Sequence, residues 1–305
     1  MQRILEGLAA KRILVSDGAW GTMLQAQGLE PGRCPELWNL EFPDRVRSVA
    51  AAYAGAGADV VLTNTFGANG ITLGRHGLAA RVRELNAAGA RISLEGAPGA
   101  IVAASIGPTG EFLHPLGDHS EQALEDVFAE QIRGIAEAGV RVLCIETMVS
   151  VEEAACAVRA ARAVEAEAGS AFEVMATMTF GATSGGFRTV MGVDPARAVE
   201  VLSAAGADVL GANCGNGVAG MVPLIGEFRK LTSKPLLVHA NAGLPELVDG
   251  RTVYRETPEA MAARVPDLVA AGVSILGGCC GTTPAHIAAV RAAVDRLVGY
   301  PSGRC

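Results

Sequence analysis

Eight short aliphatic runs recur along this chain at intervals of about 37 residues, and that rhythm restricts its fold more than any other feature. The runs are Ile13-Leu14-Val15, Val60-Val61-Leu62, Ile101-Val102, Val142-Leu143-Cys144-Ile145, Val174-Met175-Ala176-Thr177, Val209-Leu210, Leu236-Leu237-Val238 and Val273-Ser274-Ile275-Leu276. Between them lie alanine-rich segments with apolar residues at helical spacing, among them 43–56, 121–138 and 258–271. Strands written as continuous apolar runs are buried on both faces, as in a parallel sheet covered by helices. Eight such units predict an α/β protein built as a single TIM (β/α)8 barrel over residues 1–298, with a disordered tail at 299–305. The alternative, a doubly wound sheet, needs a GxGxxG turn after the first strand. Asp17-Gly18-Ala19-Trp20-Gly21-Thr22 is not one.

A second repetition supports the barrel. Ala56-Gly57-Ala58-Asp59, Ala138-Gly139-Val140, Ala205-Gly206-Ala207-Asp208 and Ala271-Gly272-Val273 each place glycine between a helix and the next strand. That is where a left-handed helix cap forms at little cost.

Composition narrows the function. The 25 Lys+Arg against 32 Asp+Glu leave a net charge of −7, which speaks against a nucleic-acid partner. Half of the residues are hydrophobic and 19% charged, outside the range of disordered chains. No apolar run reaches the ~18 residues of a membrane span, and Arg3, Glu6, Lys11 and Arg12 interrupt any signal-peptide core. A cytoplasmic protein with no membrane partner is expected. Seven cysteines, an odd number, argue against a disulfide framework and direct attention to metal or redox chemistry.

In a barrel the chemistry lies where strands end. Those positions read Asp17, Thr63-Asn64-Thr65, Ser105, Glu146-Thr147, Thr179, Asn213-Cys214, His239 to Asn241, and Cys279-Cys280. Cys214 precedes Cys279 by 65 residues, yet strands six and eight end on the same rim and can unite three thiolates. Three thiolates suit Zn2+, with a fourth position left for substrate. The competing reading is structural, because a lone cysteine after a strand is usually a small core residue. The glycines in Gly277-Gly278-Cys279-Cys280-Gly281 favour the metal, since they let both neighbouring thiols face one ion. Cys144 and Cys156 read as core, Cys34 and Cys305 as loop and tail.

Asp17 and Glu146 end strands one and four. Each could cap an element or form a salt bridge, or the two could hold a ligand's ammonium group. The turn at Asp17-Gly18-Ala19 offers backbone N–H groups to a carboxylate, so the two features together read as an amino-acid clamp. The run 181–186 lacks the Gly-Lys-Ser/Thr end of a phosphate loop and reads as a lid loop. His76, His114, His119 and His286 read as surface or capping residues.

From about Ile13 to Val294 the chain resembles the homocysteine S-methyltransferase family, most closely the homocysteine-binding module of cobalamin-dependent methionine synthases. The resemblance rests on Asp17-Gly18-Ala19-Trp20-Gly21-Thr22, Thr63-Asn64-Thr65-Phe66, Ile145-Glu146-Thr147, Gly211-Ala212-Asn213-Cys214, Asn241-Ala242-Gly243-Leu244-Pro245 and 277–284 followed by His286-Ile287. It implies a TIM barrel in which Cys214, Cys279 and Cys280 bind zinc, Asp17 and Glu146 hold the homocysteine amino group, and Asn241 lies at the metal site. It also implies methyl transfer to the homocysteine thiol to form methionine. Betaine-using members carry extra aromatic residues that grip a quaternary ammonium, and here Gly67 follows Thr65-Phe66 instead. The expected donor is a methyl-corrinoid, free or on a partner protein, with S-methylmethionine second. A non-catalytic zinc or homocysteine-binding module, and a transferase acting on another thiol or selenol, are the competing readings.

Overall fold

The computed structural model describes residues 3–248 and 251–299. Eight parallel strands form the central sheet: β1 (Leu14–Val15), β2 (Val60–Leu62), β3 (Ile101–Ile106), β4 (Val142–Met148), β5 (Glu173–Met178), β6 (Val209–Gly217), β7 (Leu236–Asn241) and β8 (Ile275–Gly278). Each lies on one of the eight aliphatic runs. Their spatial order is β1-β8-β7-β6-β5-β4-β3-β2, and a parallel bridge from Ser16 to Val60 brings β2 back against β1. The sheet is a nearly closed TIM barrel, as the eightfold rhythm predicts.

All four recurrent glycines adopt the left-handed conformation expected of them, with φ of +91° at Gly57, +89° at Gly139, +105° at Gly206 and +99° at Gly272. The aspartates that follow two of them have a task of their own. Asp59 accepts the Val15 N–H at 3.0 Å and Asp208 accepts the Val174 N–H at 2.8 Å. Arg291 and Arg162 clasp them from neighbouring helices. The expected helix over 258–271 is divided into Pro258–Ala263 and Val265–Ala270. Pro266 has no N–H to continue the first helix and instead occupies the opening turn of the second. The run 181–186 belongs to a hairpin, Gly181–Thr183 paired with Gly186–Arg188, rather than to an irregular loop. A second hairpin, Glu246–Val248 with Arg251–Val253, follows β7.

The core has two layers. Between strands and helices lie Val61, Val102, Leu143, Val174, Leu210 and Val238 among others. Inside the barrel Leu14, Leu62, Ile101, Cys144, Met175, Leu237 and Ile275 form a plug that Ile4 closes from below. The helix Ile4–Lys11 that carries Ile4 lacks a side-chain cap of its own, and Glu173 accepts its first N–H groups. Gly299, at the start of the expected tail, caps the helix Pro284–Val298 at φ +70°, and residues 300–305 lie outside the described residues.

Candidate active site at the mouth of the barrel

Alternation along a strand fixes what faces the barrel axis. If Val142 and Cys144 point inward, so does Glu146. The same parity runs Ile101-Ala103-Ser105, Met175-Thr177, Val209-Gly211-Asn213 and Leu237-His239-Asn241. Each strand therefore changes from apolar to polar at the same height, and a buried polar layer rests on the apolar plug.

Asp17 lies just beyond β1 and is completely buried. Its Oδ2 accepts the Trp20 indole N–H at 2.8 Å and the Leu62 N–H at 2.7 Å. Burial pushes its pKa up to about 7 against these hydrogen bonds. Glu146 is also buried and is pushed up to about 7, first by burial and then by the charges of Asp17 and Cys214, while Ser105 Oγ donates to its Oε1 at 2.6 Å. The two carboxylates are both buried and sit within electrostatic reach of each other. A cation between them would favour ionisation of both.

The turn after Asp17 is built for close approach. A Cβ on Gly18 would stand 2.5 Å from Thr282 Oγ1 and 3.0 Å from the Tyr53 hydroxyl, so no larger residue fits without displacement. The Ala19 N–H donates to Thr282 Oγ1 at 3.1 Å, and Tyr53 OH donates to the Ala19 carbonyl at 2.8 Å. Of the two backbone donors anticipated here, that of Ala19 is already held, whereas Gly18 N–H has no protein acceptor among the described residues.

Across the mouth, β6 and β8 bring the three cysteines together. The sulfurs of Cys214, Cys279 and Cys280 lie within 4.8 Å of one another, and the Cys214–Cys280 separation is 3.9 Å. Sulfurs held tetrahedrally at about 2.3 Å from a zinc ion stand about 3.8 Å apart. The donor set therefore fits zinc in both chemistry and spacing. Cys214 sits at φ +58°, a backbone conformation that costs energy and is maintained by its surroundings. Hydrogen bonds from Cys279 and Cys280 pull the Cys214 thiol below its ordinary range, while those same contacts, with burial, hold Cys279 above it. One thiol of the group ionises readily and its neighbours resist, and a dication bound there would favour the thiolate form of all three.

Asn213 links the two halves of the site. Its Oδ1 accepts from Thr147 N–H at 2.8 Å and Thr177 Oγ1 at 2.9 Å, and its Nδ2 donates to Thr147 Oγ1 at 2.7 Å. Thr147, a β-branched residue at φ +63°, stays in this conformation because Asn213 holds it. Asn241 is buried beside Cys214, helps to hold that thiol below its ordinary range, and leaves its Oδ1 without a partner. Every residue expected at the site is thus found at this end of the barrel.

Four other residues contribute for which the sequence patterns supply no role. Thr282 braces the Gly18 turn and Asn213 the thiol-bearing strand. Tyr254, just after the second hairpin, packs its ring against Gly281 beside Cys280. His239 lies 1% exposed with Nε2 unpartnered, and burial pushes its pKa down to about 4. Inward parity at strand ends could have singled out Asn213 and His239; Tyr254 had no local signal. Of the remaining cysteines, Cys144 and Cys156 are core, and Cys34 lies in a loop but is buried beside Glu36, with its thiol pushed up to about 12. His286 is the cap it was expected to be, paired with Thr283 at the start of the last helix.

The family model described as homocysteine S-methyltransferase matches residues 14–294. The chain belongs to the homocysteine S-methyltransferase family. Among curated members, it is 34% identical over 304 residues to the methionine synthase of Mycobacterium tuberculosis and 33% identical to that of Mycobacterium leprae. These alignments cover 94% and 96% of this chain but 25% of each relative, so the chain spans about a quarter of their length. Among solved structures, the metallated homocysteine methyltransferase MmuM from Escherichia coli shares the fold, with a TM-score of 0.77 and 24% identity over 95% of this chain and 99% of that one. The oxidized form of the same protein superposes with a TM-score of 0.75 at 25% identity, over the same shares.

Proposed function

We propose that this family member holds one Zn2+ on Cys214, Cys279 and Cys280 and transfers a methyl group to the sulfur of homocysteine, forming methionine. The observation that carries the reading is one pocket uniting three convergent thiols with two buried carboxylates. Homocysteine bears a thiol at one end and an ammonium and a carboxylate at the other, and the pocket offers a counterpart to each. Zinc, when bound, supplies the positive charge that keeps a thiol deprotonated at neutral pH, where a free thiol with pKa of about 8.5 is mostly protonated.

The chain's own residues orient the substrate. Asp17 and Glu146 take the ammonium, and Gly18 N–H takes the carboxylate at a turn braced by Thr282 and Tyr53. Burial removes competing water, so the substrate thiol is presented to the donor with its amino-acid end fixed. The S–CH3 bond forms as the donor–methyl bond breaks, and the thiol proton leaves to solvent.

The donor we favour is a methyl-corrinoid, free or on a partner protein. Phe66, Phe112, Leu116, Val190, Leu244 and Leu247 are exposed on the loops that follow β2, β3, β5 and β7, which suits a bulky, largely apolar donor face. S-methylmethionine ranks second. Betaine ranks third, because Gly67 offers no ring beside Phe66. Methionine formation from homocysteine, assayed in parallel with methylcobalamin, S-methylmethionine, methyltetrahydrofolate and betaine, tests the ranking. Product from betaine alone would overturn the donor choice, and product from none would overturn the reaction.

A further inference from the structure

An ammonium group carries three N–H donors, and a site closed to water has to offer each an acceptor. The carboxylates supply two. Asp17 commits Oδ2 to Trp20 and Leu62, leaving Oδ1 with only a 3.3 Å contact from Ser16 Oγ. Glu146 commits Oε1 to Ser105, leaving Oε2 with only a 3.4 Å contact from Asn213.

A third free acceptor sits beside them. His239 projects inward from β7, is 1% exposed, and leaves Nε2 with no partner. One of its ring nitrogens, a Glu146 carboxylate oxygen and Cys144 Sγ lie within 4.8 Å of one another. A Cβ built on Gly277 would stand 2.7 Å from His239 Cδ2 and 2.8 Å from the Asp17 carbonyl oxygen. The Cδ2 side of the ring therefore borders the Asp17 turn, and one ring nitrogen lies within reach of Glu146, with Nε2 the nitrogen left unpartnered.

We propose that His239 Nε2 is the third acceptor of the substrate ammonium group and that it sets a preference for α-amino thiols over thiols without an amine. This rests on the reading that homocysteine is the methyl acceptor. The imidazole is suited to the task because a neutral ring accepts a hydrogen bond without adding a third negative charge to a pocket already crowded with two. The competing occupant is a second metal ion on Cys144, Glu146 and His239, which would remove Glu146 from the clamp.

The test is calorimetric titration of homocysteine and of 4-mercaptobutanoate, the same thiol acid without the amine. His239→Leu should reduce the preference for homocysteine roughly tenfold or more, with 4-mercaptobutanoate unaffected, while His239→Gln, which retains an acceptor oxygen, should keep most of it. A third ligand adds a readout in the wild-type protein itself: N-methylhomocysteine, one N–H short, should bind wild type roughly tenfold more weakly than homocysteine and show no such deficit in His239→Leu. An unchanged preference in His239→Leu, equal binding of homocysteine and its N-methyl derivative by wild type, or loss of a second equivalent of zinc with the ring would each overturn the proposal. If wild type binds no homocysteine, the acceptor assignment fails. If it binds homocysteine and the variant keeps the preference, only the role of His239 fails.

Discussion

Glu146 shows how a single residue couples substrate binding to proton binding. Its folded pKa of about 7 lies above the value near 4.3 expected in an unfolded chain. A carboxyl raised in this way stabilises the fold below pH ~4, and that contribution is lost as the pH climbs through about 7. In homocysteine-free protein, Glu146→Gln should flatten the fall in melting temperature between pH 5 and 7. Homocysteine needs the ionised carboxylate, so wild-type affinity should rise from pH 6 to 8. Loss of a charge-assisted hydrogen bond, about 1.5–3 kcal/mol, should weaken homocysteine binding by roughly tenfold to a hundredfold in Glu146→Gln, with zinc retained. An unchanged Kd at pH 8 would remove Glu146 from the clamp. The thiols admit a separate check. Replacing Cys214, Cys279 or Cys280 by alanine should abolish zinc retention measured by atomic absorption, and Cys34→Ser should leave it intact. Full zinc in Cys214→Ala would contradict the ligand assignment.

At the scale of elements, the sequence was most readable where backbone chemistry and burial agree. The eight apolar runs became strands because helices cover them, and the glycines after helices became left-handed caps because Cβ-free backbone adopts that conformation readily. The thiols, carboxylates and Asn241 were legible from strand ends and family motifs. His239 and Asn213 were visible as strand-end polar residues, but only the closed barrel shows which neighbours they meet. Tyr254 comes beside Cys280 after a hairpin that no local pattern ties to β8. Pro266 was legible in principle, but helical spacing across it concealed the break. The Ala-Gly-Ala-Asp phrase carries more than a turn, for its aspartate satisfies a strand N–H at the end of the barrel opposite the site. Asp208→Ala leaves the Val174 N–H unpaired and should cost about 1–3 kcal/mol in chemical denaturation, with homocysteine affinity in the folded protein unchanged. A loss of affinity without a loss of stability would contradict that division of labour.

Across the whole molecule, one end of the barrel carries stability and the other the site. The lower end is closed by Ile4, Glu173 and the two aspartate–arginine clasps, whereas the upper end gathers orphaned acceptors, strained backbone at Thr147 and Cys214, and exposed apolar side chains. Such concentrated local cost is what a binding site retains when the rest of the fold can sustain it. No helix among the described residues is long and apolar enough to cross a membrane. The proposed function requires metal and amino-acid recognition to be parts of one site. Titration of homocysteine into zinc-loaded and zinc-free protein, followed by calorimetry, tests this most directly. One homocysteine per chain should bind the zinc-loaded protein, with affinity falling at least roughly a hundredfold, about 2.7 kcal/mol, when zinc is removed. Equal affinity with and without zinc would contradict it.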